Sequence, residues 1–227
     1  MKKILLVILI CLSNFMLEAE RLDKDPSDYS YTGLGLKLTS QNEDFNVGII
    51  GSLALPGPLY ATFSQTAIGL EEDIYNEVSF DQQIRSINIG AHIGIGDLLN
   101  TVSVGSVSLN LENFMDVFFE LGVKQYSFDT SSNFDESFGN MLFGARFGDA
   151  NGWEGKFYFD LAKEVESYSI ITPDGEPVAF VSFSDERDLK IGLDFQFNLT
   201  RRLNVVLGLK TSEYLETETS MSLGIQY

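Results

Sequence analysis

Apolar and polar residues alternate with a period of two along most of this chain, and helix-period segments do not stand out. Ten segments carry the pattern: roughly 29–39, 45–55, 59–69, 83–96, 115–128, 138–148, 153–167, 186–199, 203–211 and 218–227. One face of each is apolar. Leu34, Leu36 and Leu38 form it in the first segment, and Phe45, Val47, Ile49 and Leu53 in the second. Ile87, Ile89, Ala91, Ile93 and Ile95 follow, then Val117, Phe119, Leu121 and Val123. Strict alternation over such lengths predicts β-strands with two unlike faces. The last segment, Met221-Ser222-Leu223-Gly224-Ile225-Gln226-Tyr227, keeps the alternation to the final residue, where chain ends ordinarily fray.

The second face separates two architectures. It carries Lys37, Asn88, His92, Glu120, Lys124, Arg146, Glu154, Lys156, Asp160, Lys190, Asp194, Gln196 and Lys210, interspersed with Gly33, Gly35, Gly48, Gly90, Gly94, Gly122, Gly144, Gly192, Gly208 and Gly224. In a soluble sandwich the polar face looks to water, and glycine there weakens a strand with no return. In a small membrane barrel the faces invert. Apolar side chains meet lipid, and glycine makes room for long side chains crowding a narrow interior. The second arrangement accounts for both observations, so the expected fold is all-β: a closed, antiparallel, up-and-down transmembrane β-barrel.

The connections follow the same asymmetry. Pro56-Gly57-Pro58, Asp149 to Gly152, and Thr200-Arg201-Arg202 are tight links on one side. Leu70 to Gln82, Asp129 to Ser137, and Tyr168 to Asp185 are longer, mostly acidic links on the other. Short periplasmic turns and long external loops distinguish the two ends of outer-membrane barrels. Asp97 to Phe114 breaks the rule, being long yet on the short-turn side. It reads as an extension or small hairpin at the periplasmic rim. The strand number is therefore about ten, with eight or twelve open.

Met1-Lys2-Lys3 followed by the apolar Ile4 to Leu12 has the form of a secretory signal, with cleavage after Ala19. That divides the chain into a signal at 1–19, a short periplasmic tail at 20–28 and a barrel domain at 29–227. Cys11 is the single cysteine, so the exported chain has no disulfide framework, thiolate metal site or thiol nucleophile. A formal net charge of −18 argues against nucleic acid as a partner, because phosphate binding needs a basic surface.

His92 is the only histidine. A histidine base needs a nucleophile and an orienting group beside it, and no other histidine lies in the outer loops. Lumen packing is its expected role. Lys37, His92, Glu120, Lys124, Arg146, Lys156, Asp160 and Asp194 are accordingly read as one structural polar network, because a barrel of about ten strands is mostly filled by side chains. No catalytic or metal-binding residue is expected, and no cofactor. Glu71, Glu72, Asp73 and Glu77 read either as a solvated, repulsive rim or as an attractor of divalent cations without ordered calcium-loop spacing. Pro173-Asp174-Gly175-Glu176-Pro177 is a strong turn signal. It predicts a protruding hairpin on which Ile170, Val178, Phe180 and Phe183 either contact a partner, by β-augmentation, or meet lipid and lipopolysaccharide.

The signal, the ten alternating segments and the terminal Met221-x-Leu223-x-Ile225-x-Tyr227 resemble small Gram-negative outer-membrane β-barrels of the OmpA/OmpX-like class. Further likeness lies in His92-Ile93-Gly94-Ile95-Gly96 and in Asp116-Val117-Phe118-Phe119-Glu120-Leu121-Gly122. The resemblance implies that Met221, Leu223, Ile225 and Tyr227 form the signal read by the barrel-assembly machinery. It also implies an outer-membrane location in contact with lipid and lipopolysaccharide, and no enzymatic residues. The expected role is structural, surface-interacting or one of minor permeability. The alternatives are a soluble periplasmic barrel or sandwich binding a small apolar ligand, and a hydrolase active at the outer rim.

Overall fold

The computed structural model describes residues 29–41, 44–71, 79–95, 101–104, 107–110, 115–128, 134–148, 152–171, 178–200, 202–212 and 217–227. The expected export signal and tail, and most of the acidic loop around Asp73 and Glu77, lie outside these residues. The described strands are β1 (Gly33–Gln41), β2 (Asp44–Ala54), β3 (Leu59–Glu71), β4 (Ser79–Gly94), β5 (Thr101–Val104), β6 (Val107–Asn110), β7 (Met115–Phe128), β8 (Phe134–Gly148), β9 (Trp153–Ala162), β10 (Val165–Ile171), β11 (Val178–Phe183), β12 (Asp188–Asn198), β13 (Leu203–Thr211) and β14 (Glu218–Gln226).

Ten of them close a barrel in the order β1-β2-β3-β4-β7-β8-β9-β12-β13-β14. Every barrel pairing is antiparallel, and closure is made by β1 with β14, from Gly33 opposite Gln226 to Ser40 opposite Thr219. A closed ladder leaves no strand edge with unpaired N–H and C=O groups. The eighteen-residue insert resolves the parity question. Its β5 and β6 pair only with each other, Thr101 opposite Asn110 and Val104 opposite Val107. The insert is therefore a separate hairpin in the β4–β7 connection, and the barrel count stays even. The β10–β11 hairpin is likewise a sheet of its own, set between β9 and β12.

Local chemistry sets the tight turns. Leu55 N–H donates to Leu59 O at 2.9 Å across Pro56-Gly57-Pro58, and Gly57 takes a φ of +71°, where a Cβ would be strained. At the β12–β13 turn, Thr200 Oγ1 accepts from the backbone N–H groups of Leu203 at 2.9 Å and Arg202 at 3.2 Å. These turns share one end of the barrel with the start of β1 and the end of β14, called the terminal end below; the other is the loop end.

The two faces are inverted relative to a water-soluble protein. Phe45 is 81% exposed and Ile87 67%, whereas Glu120 is 3% and Lys190 4% exposed. Leu36, Leu121, Leu209, Met221, Leu223 and Ile225 continue the exposed apolar band. The buried aromatic cluster lies inside the barrel and comprises Tyr29, Tyr31, Tyr60, Phe118 and Tyr158, with Ala54 and Leu142 against it.

Candidate functional site: the barrel lumen

Inward-facing residues fall into three levels, and the strand register sets which side chains meet. At the terminal end, residues 29–32 leave the ladder and turn under the lumen. Tyr29 donates its hydroxyl to Gly148 O at 3.1 Å, and Tyr31 donates to Asp116 Oδ2 at 3.0 Å. The Arg146 guanidinium lies 4.9 Å from the Tyr29 ring and 4.7 Å from the Tyr31 ring, and donates to Ser30 O at 3.0 Å. Arg146 also forms an ion pair with Glu154. Glu154 accepts further bonds from Gln196 at 2.9 Å and Asn198 at 3.1 Å. His92 stacks on Tyr31 with centroids 3.9 Å apart. Its Nδ1 lies 3.2 Å from Asp116 Oδ2 but out of hydrogen-bond alignment.

At mid-height Glu120 is a hub. It accepts from Tyr60 at 2.9 Å, Thr62 at 3.1 Å and Asn88 at 3.0 Å. Three donors offset the cost of taking its charge out of water. Glycine supplies the room for the rings. A Cβ at Gly90 would meet Tyr60 Cζ at 2.5 Å, and one at Gly192 would overlap the Tyr158 ring.

Toward the loop end, Lys37 pairs with Glu218 at 3.2 Å, and Lys210 lies 3.7 Å from Asp160. Lys124 and Lys190 both pair with Glu164, whose carboxylate also lies 2.8 Å from the Tyr126 hydroxyl. Glu164 sits between β9 and β10, beyond the barrel strands. Burial raises its pKa, but the Lys124 and Lys190 ammoniums outweigh that and hold it down at about 2. A depressed carboxylate contributes stability above its ordinary value that is lost as pH falls toward 2.

All eight charged or imidazole side chains read from the alternation as a lumen network face the interior, but not as one connected set. Lys37, Glu120, Lys124, Arg146 and Asp160 have the partners just given. Lys156 lies over rings, 4.6 Å from the Phe118 centroid and 5.2 Å from that of Tyr158. Asp194 reaches over Gly208, where a Cβ would meet its Oδ1 at 2.6 Å. The sequence reading missed the tyrosines. Tyr126 shares the parity of Lys124 and Tyr158 that of Lys156, while Tyr60 alternates with the apolar Leu59, Ala61 and Phe63, so parity within each strand would have placed all three inside. Glu164 and Glu218 were missed because they lie at the strand ends.

On the β10–β11 hairpin, the side chains of Ile170, Val178 and Phe180 are outside the described residues. Phe183 packs within the chain, 5.3 Å from the Tyr126 ring and 4.7 Å from Phe138, which seats the hairpin on the barrel.

Among the described residues, the lumen holds a cavity of about 370 Å³. Its wall is two-sided. β14, β1, β2 and β3 bring Gly33, Gly35, Ser52, Ser64, Ser222 and Gly224 to it together with Lys37 and Tyr60, and β7, β9 and β12 bring Phe118, Lys156, Tyr158 and Asp194.

A closed ladder, an apolar exterior and a charged, side-chain-filled interior decide the class. The chain has the fold of a small outer-membrane β-barrel. No protein-family model matches it, and neither does any curated protein. Among solved structures it is similar to the KdgM porin in complex with disordered oligogalacturonate. That pair is 7% identical with a TM-score of 0.37, over 86% of this chain and 98% of that one. The beta domain of the Bordetella autotransporter Brka is 11% identical with a TM-score of 0.36, over 87% and 99%. The attachment invasion locus protein Ail of Yersinia pestis is 12% identical with a TM-score of 0.28, over 86% and 93%. Identities and scores of this size leave the functional argument to the barrel's own residues.

Proposed function

We propose that the chain is an integral outer-membrane barrel whose filled, floored lumen gives it a structural or surface-interacting role with at most minor permeability. The observation that carries this reading is the inversion of faces around a closed ladder. A soluble periplasmic barrel would present Phe45, Ile87 and Ile89 to water, at a cost on the order of 25 cal/mol for each Å² of apolar surface. Lipid and lipopolysaccharide cover that band instead, and the loop end faces outward.

Fractionation with a heat-modifiability gel tests the class. The expected result is a detergent-resistant folded band in the outer-membrane fraction; recovery in the soluble periplasm without detergent overturns it. Permeability has its own test. The native barrel in a planar lipid bilayer should show little steady conductance. Replacing Tyr29 and Tyr31 together by alanine removes the rings that floor the lumen and should raise conductance severalfold.

The closing strand is the second part of the proposal. Met221, Leu223 and Ile225 face the apolar exterior, and Tyr227 caps the strand. Its backbone N–H donates to Thr32 O at 3.0 Å, and its carbonyl accepts from Ser30 Oγ at 2.7 Å. We read these four residues as the segment the barrel-assembly machinery engages. Deleting Tyr227 should lower the amount of barrel reaching the outer membrane while leaving the folded fraction heat-modifiable. Unchanged outer-membrane levels on an immunoblot would refute the role.

A further inference from the structure

The charges around the cavity are unequally committed. Arg146 is held by Glu154, Lys37 by Glu218, Lys210 by Asp160, and Glu120 by three donors. Lys156 and Asp194 stand apart. They are directly opposed in the β9–β12 ladder, yet neither has a hydrogen-bond or ion-pair partner among the described residues. The Lys156 ammonium lies over the ring faces of Phe118 and Tyr158, and it is the charge that acts most strongly on Asp194, with no hydrogen bond between the two. A ring face attracts a cation but accepts no directed hydrogen bond as a carboxylate does, so the three N–H donors of Lys156 remain available.

Both residues line the cavity. Ser52 and Ser64, on β2 and β3 across the ring of strands, and Ser222 on β14 also line it, and their hydroxyls have no hydrogen-bond partner among the described residues. A partly desolvated ammonium and carboxylate that attract one another without a hydrogen bond are satisfied best by a solute that brings one opposite charge to each. Residues directly opposite in an antiparallel pair have Cβ atoms ~4.5–5.5 Å apart, so the two side chains present their charges to one stretch of the cavity wall. The volume of about 370 Å³ is at the lower end of the ~300–1,000 Å³ range of ligand pockets, which restricts the occupant to a small molecule.

We infer that the lumen cavity is a binding site for a small zwitterion, an α-amino acid or dipeptide, whose carboxylate is held by Lys156 and whose ammonium is held by Asp194. The lining serines receive its remaining polar groups. The site extends the minor-permeability reading and rests on it: the cavity is a station for such solutes rather than an open water channel.

The test uses the full exported chain refolded in detergent, with the heat-modifiable band establishing that the barrel has formed. Absence of that band defeats the barrel reading itself. Given the band, binding is measured calorimetrically with dialanine and, as comparisons, propionate, propylamine and sucrose. The expected result is saturable heat with dialanine and affinity at least roughly tenfold weaker for each molecule that lacks one charge or both. Lys156→Met and Asp194→Asn should each weaken dialanine binding by a similar factor. The exchanged pair Lys156→Asp with Asp194→Lys keeps both charges and the net charge, so it should bind dialanine in the reversed orientation. If the single variants fail to fold, the exchanged pair decides. No dialanine binding, binding equal to that of sucrose, or loss of binding in a folded exchanged pair would each overturn the proposal.

Discussion

Gly122→Val is expected to abolish the folded barrel. Gly122 is on β7, opposite Asn88 of β4. A Cβ there would overlap Ile87 O and Asn88 Oδ1 and lie 2.7 Å from Asn88 Cα. Two of those three atoms belong to backbone held in the ladder, so no rotamer change relieves the contact. Ordinary overpacking costs ~1–3 kcal/mol through shifted side chains and backbone. Here the shift would open the β4–β7 pairing, and a barrel opened at one seam exposes unpaired N–H and C=O groups to hydrocarbon. The expected readout is loss of the heat-modifiable band and of refolding yield in detergent. Gly139→Ala is the control. Its nearest atoms are Arg187 Nη2 at 3.8 Å and Gly122 O at 3.9 Å, ordinary contact distances, so the band should persist. A folded Gly122→Val barrel would mean that lumen glycines are not required for close approach.

Glu120→Ala carries the second large effect. The substitution leaves Tyr60, Thr62 and Asn88 facing a vacated volume without their common acceptor. Hydrogen bonds to a charged group contribute ~1.5–3 kcal/mol each, and orphaned buried donors lose their solvation as well. Asn88 retains a contact with Thr62 Oγ1 at 3.2 Å, and water entering the space recovers part of the rest. A net loss of about 3 kcal/mol is expected, read as a lower urea midpoint for unfolding in detergent at unchanged slope. Glu120→Gln keeps one acceptor oxygen and should lose about 1 kcal/mol. Equal losses for the two variants would mean that Glu120 acts by filling volume and not by accepting hydrogen bonds.

The two classes of variant probe different parts of one design. Gly122 concerns how closely two strands approach, and Glu120 concerns what fills the space they enclose. Tyr60 shows how they connect. Its ring lies over Gly90 and its hydroxyl reaches Glu120, so a missing Cβ on one strand places an acceptor's partner on another.

By itself, the sequence determined the strands and their faces. Alternation needs nothing beyond the chain: on a pleated strand, successive side chains point to opposite sides. Once Leu34, Leu36 and Leu38 are outward, Lys37 must be inward. The same parity carried Glu120, Lys124, Lys156 and Asp194 to the lumen, and the tight turns at Gly57 and Thr200 were legible as turn chemistry. Strand number was legible as about ten but not settled, because Thr101 to Asn110 has strand character and only its pairing shows that it stays outside the barrel. Nor was the choice of partners inside the lumen. Arg146 with Glu154, Lys124 with Glu164, and Tyr31 with His92 join residues from separate strands, from the β9–β10 link or from the segment before β1. Which of them meet depends on register, on strand stagger and on closure of β1 against β14. The floor made by Tyr29 and Tyr31 is the clearest case. Alternation over 29–39 puts these tyrosines on the parity of Lys37, but it does not show that they leave the ladder before β1 and turn under the lumen. Only the closed barrel supplies Asp116, Gly148 and Arg146 around one opening, and so gives those two rings a place to be buried.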